Sequence, residues 1–308
     1  MKLTQIRDIS AVAERGSLRA AARHLGIAQP AITRSIRELE HELGATLFER
    51  SARGVTLTPL GQLFLRRANA AQNELRQAKE EIDQLMGETT GRVSVALSTV
   101  SHIALLPRAL DQFRAKYPNV VIRIIEGLFP SLETPLKDGS IDFYVGPLSE
   151  EPPAREFLVE KLFDNTRVVF GRKGHPLAGA TSLAQLTGAS WITTSVTSSS
   201  EAELYPLFEK QGLPRPRVEM HAPSALTMII AAANTDLLMM LPVQWLGFSA
   251  TRELLEPLSL DETLPAASIC IVRRSRLPLT PAAEYFSDML RRAAHQFVTH
   301  GPSRPATT

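Results

Sequence analysis

The stretch between Pro59 and Gly87 constrains the fold more than any other part of this sequence, because it predicts one long helix. Gly61 is the only glycine between these two residues, and no second proline follows until after Gly87. Apolar residues recur at alternating spacings of four and three, the heptad pattern of a helix that pairs with another helix. They are Phe64, Ala68, Ala71, Leu75, Ala78, Ile82 and Leu85.

A helix of this length would span roughly 40 Å and carries only a narrow apolar stripe. Such a stripe needs a partner, and the simplest partner is a second copy of the chain. We therefore interpret residues 59–87 as a linker and dimerisation helix. The alternative is a long helix that packs on its own domain, and the many alanines in the stripe make the pairing surface thin.

The residues before this helix predict three short helices and a hairpin within 1–58. Ser17 is a good N-cap for the second helix, and Gly26 ends it as a C′ glycine does. The third helix starts after Ala28, a poor cap, and ends at Gly44. The following stretch LFERSARGVTLTP is typical of two short strands around a loop that ends at Gly54.

The third helix, AQPAITRSIRELE, has two different faces. Ile32, Ile36 and Leu39 lie on one apolar face at helical spacing. The other face carries Gln29, Pro30, Thr33, Arg34 and Arg37. Two helices joined by a tight turn, the second with an exposed polar face, form a helix-turn-helix whose second helix enters the DNA major groove. Arginine and glutamine match the hydrogen-bonding edges of guanine and adenine there.

The hairpin then corresponds to a wing, with Arg50 and Arg53 near phosphates or the minor groove. The charge distribution favours the same partner, because residues 1–67 contain eleven Lys and Arg but six Asp and Glu, in a chain of net charge +2. A basic N-terminal part is expected to meet a polyanion. The alternative is that Arg34 and Arg37 belong to an ordinary solvated face.

Composition limits the number of domains and excludes several classes of site and of cellular location. A chain of 308 residues predicts two or three domains. Cys270 is the only cysteine, which excludes an internal disulfide and a cysteine metal cluster. The N-terminus lacks the apolar core of a signal peptide, and the longest apolar run, LLMMLP, is far shorter than a membrane span. We expect a cytoplasmic protein.

After a hinge at 88–91, strand-like and helix-like segments alternate. RVSVALS, VVIRIIE and IDFYVG predict strands separated by helices, one of them from about Ile103 to Tyr117. A second set begins with TRVVFGR and continues through ASWIT, a helix near Glu201–Gln211, RVEM, a helix from Ser224 and LLMMLP. ASICIVRR and a long helix from Pro281 then return towards the first set. This order favours parallel sheets covered by helices.

The predicted fold class is therefore α/β with an all-α winged helix-turn-helix head and two Rossmann-like lobes. The predicted boundaries are 92–163 with 267–300 for lobe I, 164–266 for lobe II, and a disordered tail at 301–308. A chain that crosses twice between two lobes leaves a cleft between them.

Ligands of such sheets bind beyond the carboxyl ends of the strands. Two hydroxyl-rich stretches follow predicted strands there, and we interpret them as an effector site for a small carboxylate or sulfonate. Lobe I contributes Ser98, Thr99, Ser101 and His102, and lobe II contributes Thr194, Thr197, Ser198 and Ser199. Candidate wall residues are Phe129, Gly146, Pro147 and Pro223. The alternative for both hydroxyl clusters is ordinary helix capping and loop solubility.

Motifs that mark enzymes are not found in the sequence. It contains no G-x-S-x-G, H-E-x-x-H, phosphate-binding loop or dinucleotide glycine pattern. We therefore expect no enzyme activity, no cofactor and no metal. The alternative function is a cytosolic solute-binding protein without promoter specificity that carries a basic head. The missing signal peptide and the heptad helix disfavour it.

The stretch GSLRAAARHLGIAQPAITRSIRELEHELGATLFERSARGVTLTPLG resembles the N-terminal signature of the LysR-type transcriptional regulators of bacteria. DGSIDF and GHPL match recurrent phrases later in that family. The resemblance is highly specific over the first 65 residues and looser over the rest. Within the family, residues 97–147 are most similar to regulators of aromatic-acid or aromatic-sulfonate degradation.

This resemblance implies a winged helix-turn-helix, a dimerising linker helix and an effector domain of periplasmic-binding-protein type. It also implies a homotetramer built as a dimer of dimers, promoter DNA and a small organic acid as partners, and RNA polymerase as a further candidate partner. The base-facing positions of the family match Gln29, Pro30, Thr33 and Arg34, and its wing arginine matches Arg53. The family often has serine where Ala28 and Thr33 stand here.

Overall fold

A computed structural model describes residues 1–51, 54–129, 131–148, 153–194, 204–222 and 224–300 of the chain. The chain forms two compact units. The first comprises Met1–Met86 together with Thr134–Ser140, and the second comprises Gly87–Glu133 and the chain from Ile141 onwards.

The first unit begins with three helices and a two-stranded hairpin. They are α1 (Leu3–Arg15), α2 (Leu18–Leu25), α3 (Gln29–Leu43), β1 (Phe48–Ser51) and β2 (Gly54–Leu57). Glycines in the left-handed conformation end the three helices, since L side chains rarely adopt it. The apolar faces of the helices meet in one core around the fully buried Ile9, Ile32 and Leu39.

The long helix α4 (Pro59–Leu85) follows the hairpin directly. Pro59 is tolerated because it lies in the first turn, and the Thr58 side chain accepts a hydrogen bond from the backbone N–H of Gly61. Phe64 and Leu65 in its first two turns pack against the core of the three helices. The start of α4 is therefore part of the head.

The second unit is an α/β structure with strands of mixed direction. The elements that follow α4 are, in chain order, β3 (Thr90–Leu97), α5 (Thr99–Ala104), α6 (Leu106–Lys116), β4 (Asn119–Glu126), α7 (Glu133–Lys137), β5 (Phe143–Pro147), β6 (Phe157–Arg172), β7 (Ser190–Thr194), α8 (Tyr205–Glu209), β8 (Arg217–Ala222), α9 (Ala225–Ala233), β9 (Leu237–Pro242), α10 (Ser249–Leu254), β10 (Leu255–Pro257), β11 (Leu264–Arg274) and α11 (Pro281–His300). Of these, α7 belongs to the first unit except for Glu133. Two 3₁₀ turns occur at Leu183–Leu186 and Val243–Gly247.

In the described part of the chain, strands β3 to β11 form one mixed sheet. Eight of them follow the order β4-β3-β5-β11-β6-β9-β7-β8, and β10 pairs with β6 beside this path. The pairs β3–β4, β3–β5, β7–β8 and β7–β9 are parallel. The pairs that join the two parallel groups, through β11 and β6, are antiparallel. The sheet therefore contains two parallel groups linked by two long strands.

Each parallel group has its own core. Lobe I buries β3, β5 and β11 against α6 and α11, with Phe113 and Phe286 in contact through a T-shaped ring pair. Lobe II has a core on each sheet face, because successive residues of β7 point in opposite directions. Trp191 belongs to the core on one face and Ile192 to the core on the other.

Several boundaries differ from the sequence expectations. The helix expected from about Ile103 to Tyr117 is two helices, α5 and α6, with a break at Leu105 just before Pro107. Strand β3 starts at Thr90, inside the expected hinge at 88–91. The helix expected near Glu201–Gln211 is described only as α8, since 201–203 lie outside the described residues. Helix α10 and strand β10 were not expected.

The two strands that connect the lobes are longer than expected. Strand β6 starts at Phe157, well before TRVVFGR, and β11 starts at Leu264, before ASICIVRR. The lobe boundaries predicted at 163/164 and 266/267 therefore fall inside continuous strands. The tail at 301–308 lies outside the described residues.

Candidate DNA interface and effector site

Helix α3 separates its apolar and polar residues as the sequence predicts. Ile32 and Leu39 are 0% exposed, and Ile36 is also buried in the core of the head. The Ala28 side chain makes no capping hydrogen bond, so the first turn is held by its backbone and by Pro30 rather than by a cap. Packing of the apolar face fixes the orientation of the helix.

The polar face of α3 is open to solvent. Gln29, Pro30, Arg34 and Arg37 are exposed and Thr33 is half-buried. Together with Glu38 they line an open concavity of about 460 Å³. The Thr33 hydroxyl donates to the carbonyl oxygen of Gln29 at 3.0 Å, which leaves the hydroxyl oxygen available as an acceptor. These side chains are therefore free to meet a partner.

The turn between α2 and α3 has the geometry of a helix-turn-helix. The Ser17 hydroxyl accepts from the backbone N–H of Ala20 at 3.4 Å and starts α2. Gly26 ends α2 at a φ of 65°, and the next backbone N–H, of Ile27, donates to the Ala22 carbonyl oxygen at 3.0 Å. The turn presents α3 with its N-terminal end exposed.

The hairpin is held close to the first helix. The backbone N–H of Val55 donates to the Gly16 carbonyl oxygen at 2.9 Å. A Cβ at Gly54 would lie 2.7 Å from the same oxygen, and Gly54 has a φ of 124°, so only glycine fits there. Arg50 lies in β1, paired with Val55, but its side chain is outside the described atoms. Arg53 lies outside the described residues.

The apolar stripe of α4 divides into two parts. Phe64 and Ala68 are covered within the chain. Ala71 and Ala78 are exposed, Leu75 and Ile82 are 55% and 58% exposed, and Leu85 is exposed as well. Exposed leucine and isoleucine on one side of a helix form a surface that favours a partner.

The opposite side of α4 carries amides that sequence reasoning missed. The Asn73 amide nitrogen donates to the Asp138 carbonyl oxygen at 2.8 Å, and that of the buried Gln77 reaches the Gly139 carbonyl oxygen at 3.5 Å. Gly139 has a φ of 70°, which accounts for a glycine in the DGS phrase. The sequence did not single out these amides, because α4 also contains Gln62, Asn69 and Gln72.

In lobe I, the structure uses two of the predicted effector hydroxyls internally. Ser98 and Ser101 are buried, and the Ser101 hydroxyl donates to the Val145 carbonyl oxygen at 2.8 Å. The Ser98 hydroxyl oxygen accepts from the Ser101 backbone N–H at 3.4 Å as the N-cap of α5. The Ser101 hydroxyl therefore fastens α5 to the end of β5, and the Ser98 hydroxyl caps the helix.

Thr99 and His102 lie closer to solvent. The Thr99 hydroxyl donates to the Glu126 carboxylate at 3.2 Å, where β4 ends. The His102 Nδ1 lies 2.9 Å from the Ser98 carbonyl oxygen, which can only accept, so Nδ1 carries the proton and Nε2 remains for another partner. Glu126 was missed because it is 27 residues from Thr99.

Three of the predicted wall residues, Phe129, Gly146 and Pro147, lie next to the buried Tyr144. Its hydroxyl donates to the Pro147 carbonyl oxygen at 3.0 Å, and its ring centroid lies 5.4 Å from that of Phe129. A Cβ at Gly146 would collide with this hydroxyl and would lie 2.7 Å from the Ser98 Cβ. Burial, and then the nearby Cys270, raise the pKa of Tyr144 far above its ordinary value.

In lobe II, most of the predicted site cannot be placed. Thr197, Ser198, Ser199 and Pro223 lie outside the described residues, as does the side chain of Thr194. Next to them, the Thr193 hydroxyl lies 3.0 Å from Nδ1 of His221, at the adjacent carboxyl ends of β7 and β8. Sequence reasoning missed His221, which is 28 residues away from Thr193.

Two protein-family models match this chain. Residues 3–62 match the bacterial regulatory helix-turn-helix protein of the lysR family, and residues 86–295 match the LysR substrate binding domain. The chain belongs to the LysR family of bacterial transcriptional regulators. Members of this family are non-enzymatic DNA-binding regulators.

Named relatives of this LysR regulator agree with the assignment. The HTH-type transcriptional regulator TdcA of Escherichia coli strain K12 is 26% identical over 276 residues, which cover 90% of this chain and 88% of TdcA. The HTH-type transcriptional regulator PcaQ of Agrobacterium fabrum is 35% identical over 178 residues, covering 58% of this chain and 57% of PcaQ.

Solved structures of the LysR family share the fold. Full-length CbnR complexed with its target DNA aligns with a TM-score of 0.73 at 21% identity, covering 95% of this chain and 100% of CbnR. A full-length variant of OxyR from Pseudomonas aeruginosa aligns with a TM-score of 0.67 at 22% identity, covering 94% of this chain and 95% of OxyR. These likenesses confirm the predicted head and two-lobe α/β effector domain.

The described helices of this LysR regulator do not meet the requirements of a bilayer. None of them combines the length and the continuous apolar composition that crossing a membrane demands.

Proposed function

We propose that this LysR regulator reads promoter DNA through the polar face of α3. The observation that carries the proposal is the division of that helix, whose isoleucines are buried while Gln29 and Arg34 stay exposed. Gln29, Pro30, Thr33 and Arg34 face base edges in the major groove. Arg37, Arg50 and Arg53 contact phosphates or the adjacent minor groove.

We propose that the chain acts as a dimer through α4. The exposed Leu75, Ile82 and Leu85 continue the heptad stripe that the head does not cover. Pairing of two such helices brings two reading heads to one duplex, as two-fold operator sites require. Since a promoter-binding protein acts on the bacterial chromosome, we propose that this protein is cytoplasmic. RNA polymerase is a further proposed partner.

The outer face of α9 supports a dimer of dimers as the assembly of this chain. The sequence of this helix, ALTMIIAAA, contains a single polar side chain, that of Thr227, and has no charged residue. A helix with no polar face is normally covered on all sides. Its inner face packs in lobe II through Met228 and Ile229, whereas Leu226 and Ile230 are 66% and 55% exposed. We propose that a second copy of the chain covers this outer face.

We propose that a small organic acid, a carboxylate or sulfonate and in particular an aromatic one, binds between the lobes as effector. The closeness of α5 to the 3₁₀ turn Val243–Gly247 supports a site where the lobes meet. Thr99, His102 and the walls Phe129 and Pro147 supply lobe I contacts. The Glu126 carboxylate beside Thr99 disfavours an anion there, so the acid group faces His102 Nε2 or the loop at 194–199.

The effector acts by changing how far the lobes close. A ligand can shift such an equilibrium only by its difference in affinity for the two states. The turn that Asn73 and Gln77 contact, at Asp138–Ser140, leads within three residues into β5 and its Tyr144, Gly146 and Pro147. This continuous stretch of chain gives the effector region a direct route to the dimerisation helix.

Gel retardation tests the DNA-binding proposal against the alternative of a cytosolic solute-binding protein. We expect the full chain to retard DNA from upstream of its own gene, with an affinity that falls steeply as salt rises, because phosphate contacts release counterions. A scrambled fragment of equal length serves as the control. Equal retardation of both fragments, or none at low salt, would contradict promoter recognition.

A further inference from the structure

The 3₁₀ turn Val243–Gly247 carries a buried amide that the proposed effector site does not use. The turn follows Pro242 directly, at the carboxyl end of β9, a strand parallel to β7. It also contacts α5 of lobe I, the helix that carries Thr99 and His102. Since ligands of parallel α/β sheets bind beyond the carboxyl ends of the strands, this turn lies where an interlobe ligand would meet lobe II.

Hydrogen bonds fix the orientation of this amide, which belongs to Gln244. The Asn165 Oδ1 accepts from the backbone N–H of Thr166 at 3.0 Å. A backbone N–H can only donate, so the Asn165 atom at this position is its oxygen. The same oxygen lies 2.9 Å from Nε2 of Gln244, which therefore presents its NH₂ group to Asn165. The remaining polar atom of the side chain is the acceptor Oε1.

That acceptor is buried and has no donor among the described residues. Gln244 is 3% exposed, and its Oε1 receives no hydrogen bond from any group in the described part of the chain. Buried acceptors without donors are rare in native proteins, because desolvation of the oxygen is not compensated. Asn165 is buried as well, so the amide cannot turn its oxygen to solvent while the Asn165 contact holds.

We infer that Gln244 selects the effector by accepting a hydrogen bond, through Oε1, from an O–H or N–H group of the ligand. The inference rests on the proposed binding of an organic acid between the lobes. It narrows the effector class to acids that carry a hydrogen-bond donor besides the acid group, such as hydroxy acids. Gln244 lies in lobe II and α5 in lobe I, so one ligand that contacts both favours the closed state.

Matched pairs of acids test this role on the full-length protein. The probes are benzoate with 2-, 3- and 4-hydroxybenzoate, and propionate with lactate, measured by isothermal titration and thermal shift. In at least one pair we expect the hydroxy acid to bind about tenfold more tightly than its parent. Gln244→Met keeps the side-chain length without an acceptor and should abolish this preference, leaving the parent acid's affinity within about twofold.

Two further variants separate a ligand contact from a structural role. Gln211→Met changes an exposed glutamine of lobe II and should preserve the preference. Gln244→Leu also removes the acceptor and should likewise abolish the preference, which keeps the test valid if Gln244→Met does not fold. Equal weakening of both acids in Gln244→Met, or an unchanged preference, would overturn the inference.

A different outcome would contradict the proposed organic-acid effector rather than the role of Gln244 alone. If neither member of any pair binds the wild-type protein while promoter DNA is still retarded, the organic-acid effector is wrong and the inference falls with it. Binding of both members without a preference overturns the role of Gln244 alone.

Discussion

The polar residues of α3 and those at the start of α5 look alike in the sequence, but the structure uses them differently. On α3, Gln29 and Arg34 stay exposed, and the helix is held by apolar contacts on its other side. At α5, the Ser101 hydroxyl donates a hydrogen bond to the Val145 carbonyl oxygen, and the Ser98 hydroxyl caps the helix. A separate apolar face that anchors the helix therefore leaves its polar side chains exposed, whereas polar residues at a helix start also bond within the protein.

The apolar stripe of α4 from Ala71 onwards, like the polar face of α3, is exposed. Its disruption should have the largest effect of the proposed changes, because it should alter the assembly of the protein. Leu75→Glu combined with Ile82→Glu places charges on both exposed stripe residues, so the α4 pairing should be lost. Light scattering should then give half the wild-type particle mass or less. Leu277→Glu, at an exposed apolar residue outside α4, is the control and should leave the mass unchanged. An unchanged mass in the double variant would mean that the stripe is not an interface.

Arg34→Ala should separate recognition from stability. The side chain is exposed, so the free energy of unfolding should change by less than about 0.5 kcal/mol. Discrimination between the promoter and an altered site should fall by about 1–3 kcal/mol if Arg34 contacts guanine with two hydrogen bonds. Competition binding at constant salt measures the affinity of each variant for the promoter and for the altered site. Arg19→Ala removes the same charge from α2 and should weaken both sites equally.

Ser101→Ala, unlike Arg34→Ala, should reduce the free energy of unfolding. Removal of this hydroxyl deletes one hydrogen bond to the buried Val145 carbonyl oxygen, which keeps the backbone N–H of Ser98 as a donor, so the effector lobes should lose about 0.5–1.5 kcal/mol of stability. Thr99→Val removes a hydroxyl whose partner Glu126 is exposed and should cost less than about 0.5 kcal/mol. Urea unfolding followed by circular dichroism compares the two. Equal small effects would contradict the internal role of Ser101.

Alkaline pH should lower the stability of the fold through the buried Tyr144. Burial raises the pKa of Tyr144, so folding favours its neutral phenol. This stabilisation is complete below the unfolded-state pKa of about 10 and is lost as pH rises further, at up to about 1.4 kcal/mol per pH unit. Unfolding midpoints between pH 8 and pH 11 should fall less steeply in Tyr144→Phe than in the wild type. Parallel slopes would show that Tyr144 is not the group responsible.

The head was predictable because its signals are local. Gly26 and Gly44 mark helix ends within the sequence, and the spacing of Ile32, Ile36 and Leu39 identifies the buried face directly. The extension of β6 was not predictable, since Glu160 and Lys161 interrupt any apolar alternation there. Their neighbours in β11 support the strand through backbone pairing, which leaves no signal in a single sequence.

The effector region was less predictable because its contacts join distant residues. His221 meets Thr193 across two strands, and Gln244 meets Asn165 from 79 residues away. Serines after a strand serve equally well as caps or as ligands, so sequence alone does not separate Ser98 and Ser101 from a site. The signal for Gln244 was an amide within the otherwise apolar stretch LPVQWLGF.

The continuity of β6 and β11 has a mechanical consequence for ligand response. Strand β6 contains 16 residues and extends about 50 Å at about 3.3 Å per residue, so both lobes are built on the same rigid ribbon. Because both lobes share these strands, their closure is expected to involve bending and twisting of β6 and β11. The irregular register of β11 between Ala266 and Cys270 is the softest place for that torsion. Ligand binding is therefore expected to change the twist between the two lobes at this irregular part of β11.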